Sequence, residues 1–168
     1  WHTDAWNLGG VVATTNLDGG STSVDETVYG VEGSFNLAPS AVLTGSYTVG
    51  ESEFLVIDVD TWNADIGVNY YFTDNFRVSG NLGTGNLDFG GGADFDTSTF
   101  GVGAEWQLSS TPVSFNADWS TFDADAFGDY DTLKVGVRWN WGGTLRERDA
   151  ATPFDTQTGL YQRVYGVE

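Results

Sequence analysis

Apolar residues recur at every second position through eight successive blocks of about ten residues, the signature of strands with one apolar face. The fourth block sets Trp62, Ala64, Ile66, Val68, Tyr70 and Phe72 against Asn63, Asp65, Gly67, Asn69 and Tyr71. The eighth sets Leu133, Val135, Val137, Trp139 and Trp141 against Lys134, Gly136, Arg138 and Asn140. The other blocks begin at Trp6, Tyr29, Ala41, Phe76, Phe100 and Val113; the parity of the fifth blurs after Thr84, where a glycine-rich stretch invites a bulge. Connections alternate in length. Short turns fall at Ala38-Pro39-Ser40, Thr73-Asp74-Asn75 and Ser109-Ser110-Thr111-Pro112, and longer loops at roughly 17–26, 50–60, 86–97 and 122–130. No helical periodicity competes. The pattern predicts an all-β fold, a closed eight-stranded antiparallel up-and-down barrel over residues 1–141, with a C-terminal extension over 142–168.

Alternation alone fits a soluble barrel with its apolar face inward, or a membrane barrel with that face in lipid. Two features favour lipid. The polar face is mostly Gly, Ser, Thr and Asn, which suits a narrow lumen better than a soluble exterior. Aromatic residues collect at strand ends: Tyr29, Tyr47, Trp62, Trp119 and Tyr130 toward the long loops, and Trp6, Phe35, Phe72, Phe76, Trp106, Phe115, Trp139 and Trp141 toward the short turns. Two such belts around an aliphatic band are expected at the two interfaces of a spanning barrel. The net charge of −18 with only six basic residues leaves no basic patch for nucleic acid. An aromatic content of 15% argues against disorder. Cysteine is absent, which removes disulfides and thiolate metal sites. Methionine is absent even at position 1, as in a mature chain whose secretory signal has been removed.

The segment Lys134-Val135-Gly136-Val137-Arg138-Trp139-Asn140-Trp141 resembles the terminal β-signal of outer-membrane proteins, with Lys134, Gly136, Trp139 and Trp141 as the matching positions. With the strand–turn–strand run Tyr70-Tyr71-Phe72-Thr73-Asp74-Asn75-Phe76, residues 4–141 resemble small bacterial outer-membrane barrels of the porin family and the OmpA and OmpX type. The resemblance implies an outer-membrane location, lipid and lipopolysaccharide as surroundings, and the barrel-assembly machinery as a partner during biogenesis. It implies no specific activity. The chain departs from the simple members, which stop on the last aromatic of the signal, by continuing 27 residues past Trp141.

Charged residues of lumen parity are the candidate site: the acids Glu32, Asp65, Glu105 and Asp118 and the bases Arg77, Lys134 and Arg138. Strand order predicts Arg77 beside Glu105, Lys134 beside Asp118, and Arg138 within reach of Glu32 across the lumen. Such a set gates ions in a pore or knits a closed lumen with ion pairs; pairing demanded by burial favours the second. Small outer-membrane barrels include lipid A acyltransferases and deacylases, which use histidine with serine and an acid. The single histidine, His2, falls on the short-turn side, away from any nucleophile near the outer leaflet, so no enzymatic activity is expected. No cofactor is expected either, apart from Ca²⁺ or Mg²⁺ at the acidic loops. The tail, expected in the periplasm, carries Leu160, Tyr161, Arg163, Val164 and Tyr165, residues suited to docking another envelope protein. The expectation is a non-catalytic structural or accessory envelope component, with a narrow pore for ions or small solutes as the alternative.

Overall fold

The computed structural model describes residues 1, 3, 5–18, 23–54, 57–109, 111–125, 128–139 and 143–151. Eight strands follow one another: β1 (Trp6–Asp18), β2 (Ser23–Ala38), β3 (Ala41–Phe54), β4 (Ile57–Thr73), β5 (Phe76–Asp88), β6 (Asp94–Gln107), β7 (Val113–Ala124) and β8 (Gly128–Trp139). They form one antiparallel meander in the order β1 to β8. The described ladders join successive strands and include none between β8 and β1. Among the described residues no helix is long and apolar enough to cross a membrane.

The apolar face points outward. Leu133, Val135 and Val137 are 70%, 77% and 69% exposed, whereas the polar residues Glu32, Ser34, Thr48, Asn63, Glu105 and Ser114 are buried. A soluble barrel would show the opposite. The two aromatic belts lie on the same outward surface and include the neighbouring pairs Tyr47–Trp62 and Phe72–Phe76. Trp141 lies outside the described residues.

The long loops expected from the sequence are instead strands. β4 runs for 17 residues, while a tilted spanning strand needs roughly 9–11. The hairpins therefore extend well past the Tyr47–Trp62 level, and the tips shrink to segments such as Phe89–Ala93, where Gly90, Gly91 and Gly92 all take positive φ. In this extension the polarity of the two faces reverses. Outward positions become acidic and exposed (Asp25, Glu51, Glu53, Asp58, Asp60, Asp88, Asp94, Asp96, Asp123, Asp129). Inward positions gain an apolar cluster, in which Val59, Leu87, Phe122 and Ala124 are buried together with Phe89 packed on them, beside the buried polar residues Glu26, Ser52, Thr61 and Thr97. The same reversal explains the blurred parity after Thr84. No bulge forms there, because β5 keeps an unbroken register with β6 from Phe76 to Asp88. The register shifts instead beside short turns, at Asn36/Ala38 and Tyr71/Thr73.

The chain beyond β8 also differs from expectation. Leu145–Ala151 forms a short helix, α1, where no helix was expected. Its start is a capping box: the Thr144 hydroxyl accepts from the Glu147 amide at 3.2 Å, and the Glu147 carboxylate accepts from the Thr144 amide at 2.8 Å. The helix does not leave the barrel. Leu145 is fully buried, and the Arg146 amide donates to the Asp74 carbonyl in the β4–β5 turn at 3.0 Å. Apolar burial and ion pairing with the barrel interior supply what seven residues cannot supply alone.

Candidate functional site

At the short-turn end of the interior, Glu105 on β6 collects three guanidinium groups. Arg77 on β5 reaches it at 3.2 Å, as strand order predicts, and Arg138 on β8 approaches to 3.6 Å. The third is Arg148 of α1, which grips both carboxylate oxygens at 2.7 and 2.9 Å. Ser114 on β7 completes the shell by donating its hydroxyl to Glu105 at 2.5 Å. A second carboxylate, Asp149 of α1, accepts from Arg77 at 2.9 Å, from Arg148 at 2.7 Å and from the Tyr71 hydroxyl at 2.8 Å. Arg146 stacks over the Tyr71 ring at 4.5 Å, and Gln107 donates to the Gly143 carbonyl at 3.0 Å. Burial alone would favour a neutral Arg148, yet its bonds to Glu105 and Asp149 outweigh that and hold the guanidinium charged more firmly than in water. Buried charge is tolerated here because nearly every charged atom has a partner of opposite sign. The helix is thus fastened across the short-turn end, to β4, β5 and β6.

Above this floor lies a cavity of about 800 Å³, lined by all seven charged residues picked out in the sequence, together with Arg146, Arg148 and Asp149 of α1. Lys134 and Asp118 are ladder partners on β8 and β7, as expected, but they do not form the expected ion pair. Asp118 lies across the opposite strand, over Gly103, and accepts from Asn116 at 3.1 Å. Gly103 has no side chain there to turn it away. The Lys134 Nζ is buried with no hydrogen-bond partner. Arg138 turns to Glu105, while Glu32 and Asp65 line the cavity wall.

The alternation places Gln107 and Ser114 at lumen parity without singling them out, and it does not extend to Asp149. Two signals do point to part of it: Tyr71 is an aromatic at lumen parity, and Thr144-Leu145-Arg146-Glu147 has capping-box spacing. Among the described residues no three carboxylate or histidine groups converge to hold a metal ion. The docking residues proposed for the tail (Leu160, Tyr161, Arg163, Val164 and Tyr165) lie outside the described residues, as does His2.

An outward apolar face between aromatic belts, over a polar interior, defines an outer-membrane-type β-barrel. Solved structures of such proteins match this chain. A loop-deletion mutant of OmpT, an outer membrane protein of Vibrio cholerae, aligns with a TM-score of 0.63 at 14% identity, over 83% of this chain and 51% of that one. The in-vitro folded trimer form of OmpT from the same organism aligns at 0.58 and 13% identity, over 83% and 53%. The chain thus spans about half the length of the structures it matches. No family model and no curated protein matches the sequence. The resemblance to outer-membrane barrels is therefore borne out as a fold. The exclusion of catalysis is corrected: the matches to OmpT, at 13–14% identity, leave an enzymatic activity open. The ground for that exclusion, the position of His2, is also outside the described residues.

Proposed function

We propose that the chain is a bacterial outer-membrane barrel whose lumen is shut at both ends, serving as a structural or accessory component of the envelope. The observation that carries this reading is the filling of the interior. α1 and the Glu105 cluster occupy the short-turn mouth, and Val59, Leu87, Phe122 and Ala124 pack the interior at the other end. Closure of the barrel through β8 and β1 belongs to the proposal, because unpaired edge groups in hydrocarbon cost several kcal/mol each, on the order of the whole stability of a small domain. The short turns and the tail then face the periplasm, and the acidic extension stands outside the cell. Partners meet the protein through that extension or the tail. The cavity gives a specific reason to keep the narrow pore as second reading.

Refolded protein in a planar bilayer separates the two. A closed lumen predicts a folded barrel that migrates faster unheated than boiled on detergent gels, yet gives no stable discrete openings. Steady unitary conductance from the unaltered chain would establish the pore instead.

A further inference from the structure

The chain before β1 lies along the edge of β1 that faces away from β2. Backbone groups point to alternate sides along a strand, and the Ala5 carbonyl accepts from the Asn36 amide of β2 at 2.8 Å, so Trp6 and Leu8 present theirs to the opposite edge. There the Trp1 nitrogen donates to the Leu8 carbonyl at 2.7 Å, and the Leu8 amide donates back to the Trp1 carbonyl at 2.8 Å. Thr3 repeats the exchange with Trp6: its amide donates to the Trp6 carbonyl at 2.8 Å, and its hydroxyl accepts from the Trp6 amide at 3.0 Å. The Trp1 and Trp6 rings stack at 6.0 Å. Trp1 and Thr3 thus form a strap on the lowest bonding positions of the edge that a closing β8 has to use. Above the strap the two end strands are barer than the strands between them. Val12 on β1 and Val135 on β8 are 75% and 77% exposed, against 42–58% for Val31, Ile66, Val68 and Leu82.

The ladders fix where β8 arrives. A line straight across them from Trp6 passes Leu43, Gly80 and Trp119 and ends at Leu133. β1 starts at this line, whereas β8 runs on below it to Trp139, so the line climbs the wall as it goes round. Strands tilted by about 35–45° and spaced about 4.8 Å apart bring the eighth strand back to the first displaced by roughly 8–11 residues. Inward and outward faces must stay matched, which makes the displacement even, roughly 8 or roughly 10. The smaller sets Trp139 opposite Leu8 and Val137 opposite Gly10. The larger sets Trp139 opposite Gly10 and Val137 opposite Val12.

We propose, resting on closure of the barrel through β8 and β1, that the strap of Trp1 and Thr3 is an edge guard that selects how the barrel closes. It denies β8 the backbone groups of Leu8 and admits the register that sets Val137 opposite Val12. The larger displacement means steeper strands, and steeper strands at equal number enclose a wider lumen. Width matters here because Arg148 and Asp149 of α1 have to reach Glu105, Arg77 and Tyr71 inside the wall. Until β8 arrives, the strap also covers edge groups that would otherwise pair with a strand of another chain.

The chain has no cysteine, so introduced pairs report the seam without background. Two double variants are compared, Val12→Cys with Val137→Cys and Gly10→Cys with Val137→Cys; a Cβ at Gly10 meets nothing nearer than the Gly30 carbonyl at 3.8 Å. Each is refolded in detergent, mildly oxidised and run on non-reducing gels, with folding read separately from unheated migration. The Val12 pair should form the disulfide within one chain, because directly opposite residues lie about 5.5 Å apart. The Gly10 pair, about 7–8 Å apart on the diagonal, should form little. Deleting residues 1–3 should let the Gly10 pair close as well. If that deletion does not fold, Thr3→Pro, which removes the donating amide, takes its place. A Gly10 preference in the chain with its strap would overturn the guard while leaving closure intact, and so would a Val12 preference that loss of the strap leaves unchanged. Folded protein that forms neither disulfide within one chain, or only cross-linked dimers, would overturn closure through β8 and β1 and the guard with it.

Discussion

The lower and upper parts of the same strands obey opposite rules. Around Val68 and Val135 the wall is apolar outside and polar inside; around Val59 and Leu87 it is acidic outside and apolar inside. Nothing in the backbone changes between them, because the ladders run through both without interruption on β3, β5, β6 and β8. What changes is the solvent that the outer face meets. Where that face meets lipid, side chains must be apolar and the interior takes the polar residues. Where it meets water, most of the acids lie outside, with Glu26 the buried exception, and burial of apolar groups again adds cohesion. The large negative charge is thereby explained as the exterior of the projecting region, and the ion-pair cluster as the core of the embedded one.

The strongest way to break this contrast is to remove the anion at the centre of the lower core. Glu105→Gln leaves Arg77, Arg138 and Arg148 without their shared carboxylate, and should destabilise the barrel by about 3–5 kcal/mol, the usual cost of stranding a buried charge. The midpoint of urea unfolding, followed by tryptophan fluorescence, measures it. In the upper core the comparable change is apolar. Phe122→Ala should cost about 3 kcal/mol through the cavity it leaves, and Phe122→Leu far less. If Phe122→Ala proved neutral while Glu105→Gln did not, the upper region would be no hydrophobic core at all.

A milder change probes the plug alone. Thr144→Ala removes the hydroxyl that caps α1 and should cost about 1 kcal/mol. Since β1 to β8 make no use of that cap, the loss should appear as faster proteolysis near Arg146 and Arg148, with the barrel's own urea midpoint unchanged. A matching fall in the barrel midpoint would mean that helix and barrel unfold as one unit.

Strand number, strand order and the outward apolar face were legible because period-two alternation is local, and lipid forces it to be strict. Arg77 beside Glu105 was legible for the same reason, since adjacent strands fix which residues are neighbours. The projecting hairpins were misread as loops because acids and glycines there, as in Asp58-Val59-Asp60, carry turn composition; the alternation that continues through them has merely exchanged faces. The plug was missed because its energy is not in its own sequence. Seven residues make a helix here only because Leu145, Arg148 and Asp149 find partners contributed by strands up to 78 residues away. The Lys134–Asp118 pair failed for a third reason: register places backbones, but the glycine across from Asp118 decided where its carboxylate would lie.

The smallest expected effect concerns the acid rows of the projecting region. The ladders set Glu51 opposite Asp60, Glu53 opposite Asp58, Asp88 opposite Asp94, and Asp123 opposite Asp129. Like charges directly across a ladder repel, and these are exposed, so salt should relieve them. Raising sodium chloride from about 0.01 to 0.15 M shortens the screening length from about 30 to 8 Å and should raise the unfolding midpoint slightly. The Glu105 cluster of the embedded core should respond in the opposite sense or not at all, because its charges are paired and shielded from bulk ions. A double variant, Asp123→Asn with Asp129→Asn, should reproduce part of the gain at low salt and blunt the further effect of salt. Magnesium chloride at matched ionic strength discriminates screening from binding. Equal stabilisation by the two salts is the outcome for simple repulsion between rows. A midpoint that rises at magnesium concentrations too low to screen would show that the carboxylate rows hold divalent ions at defined positions, and the double variant would then lose that response.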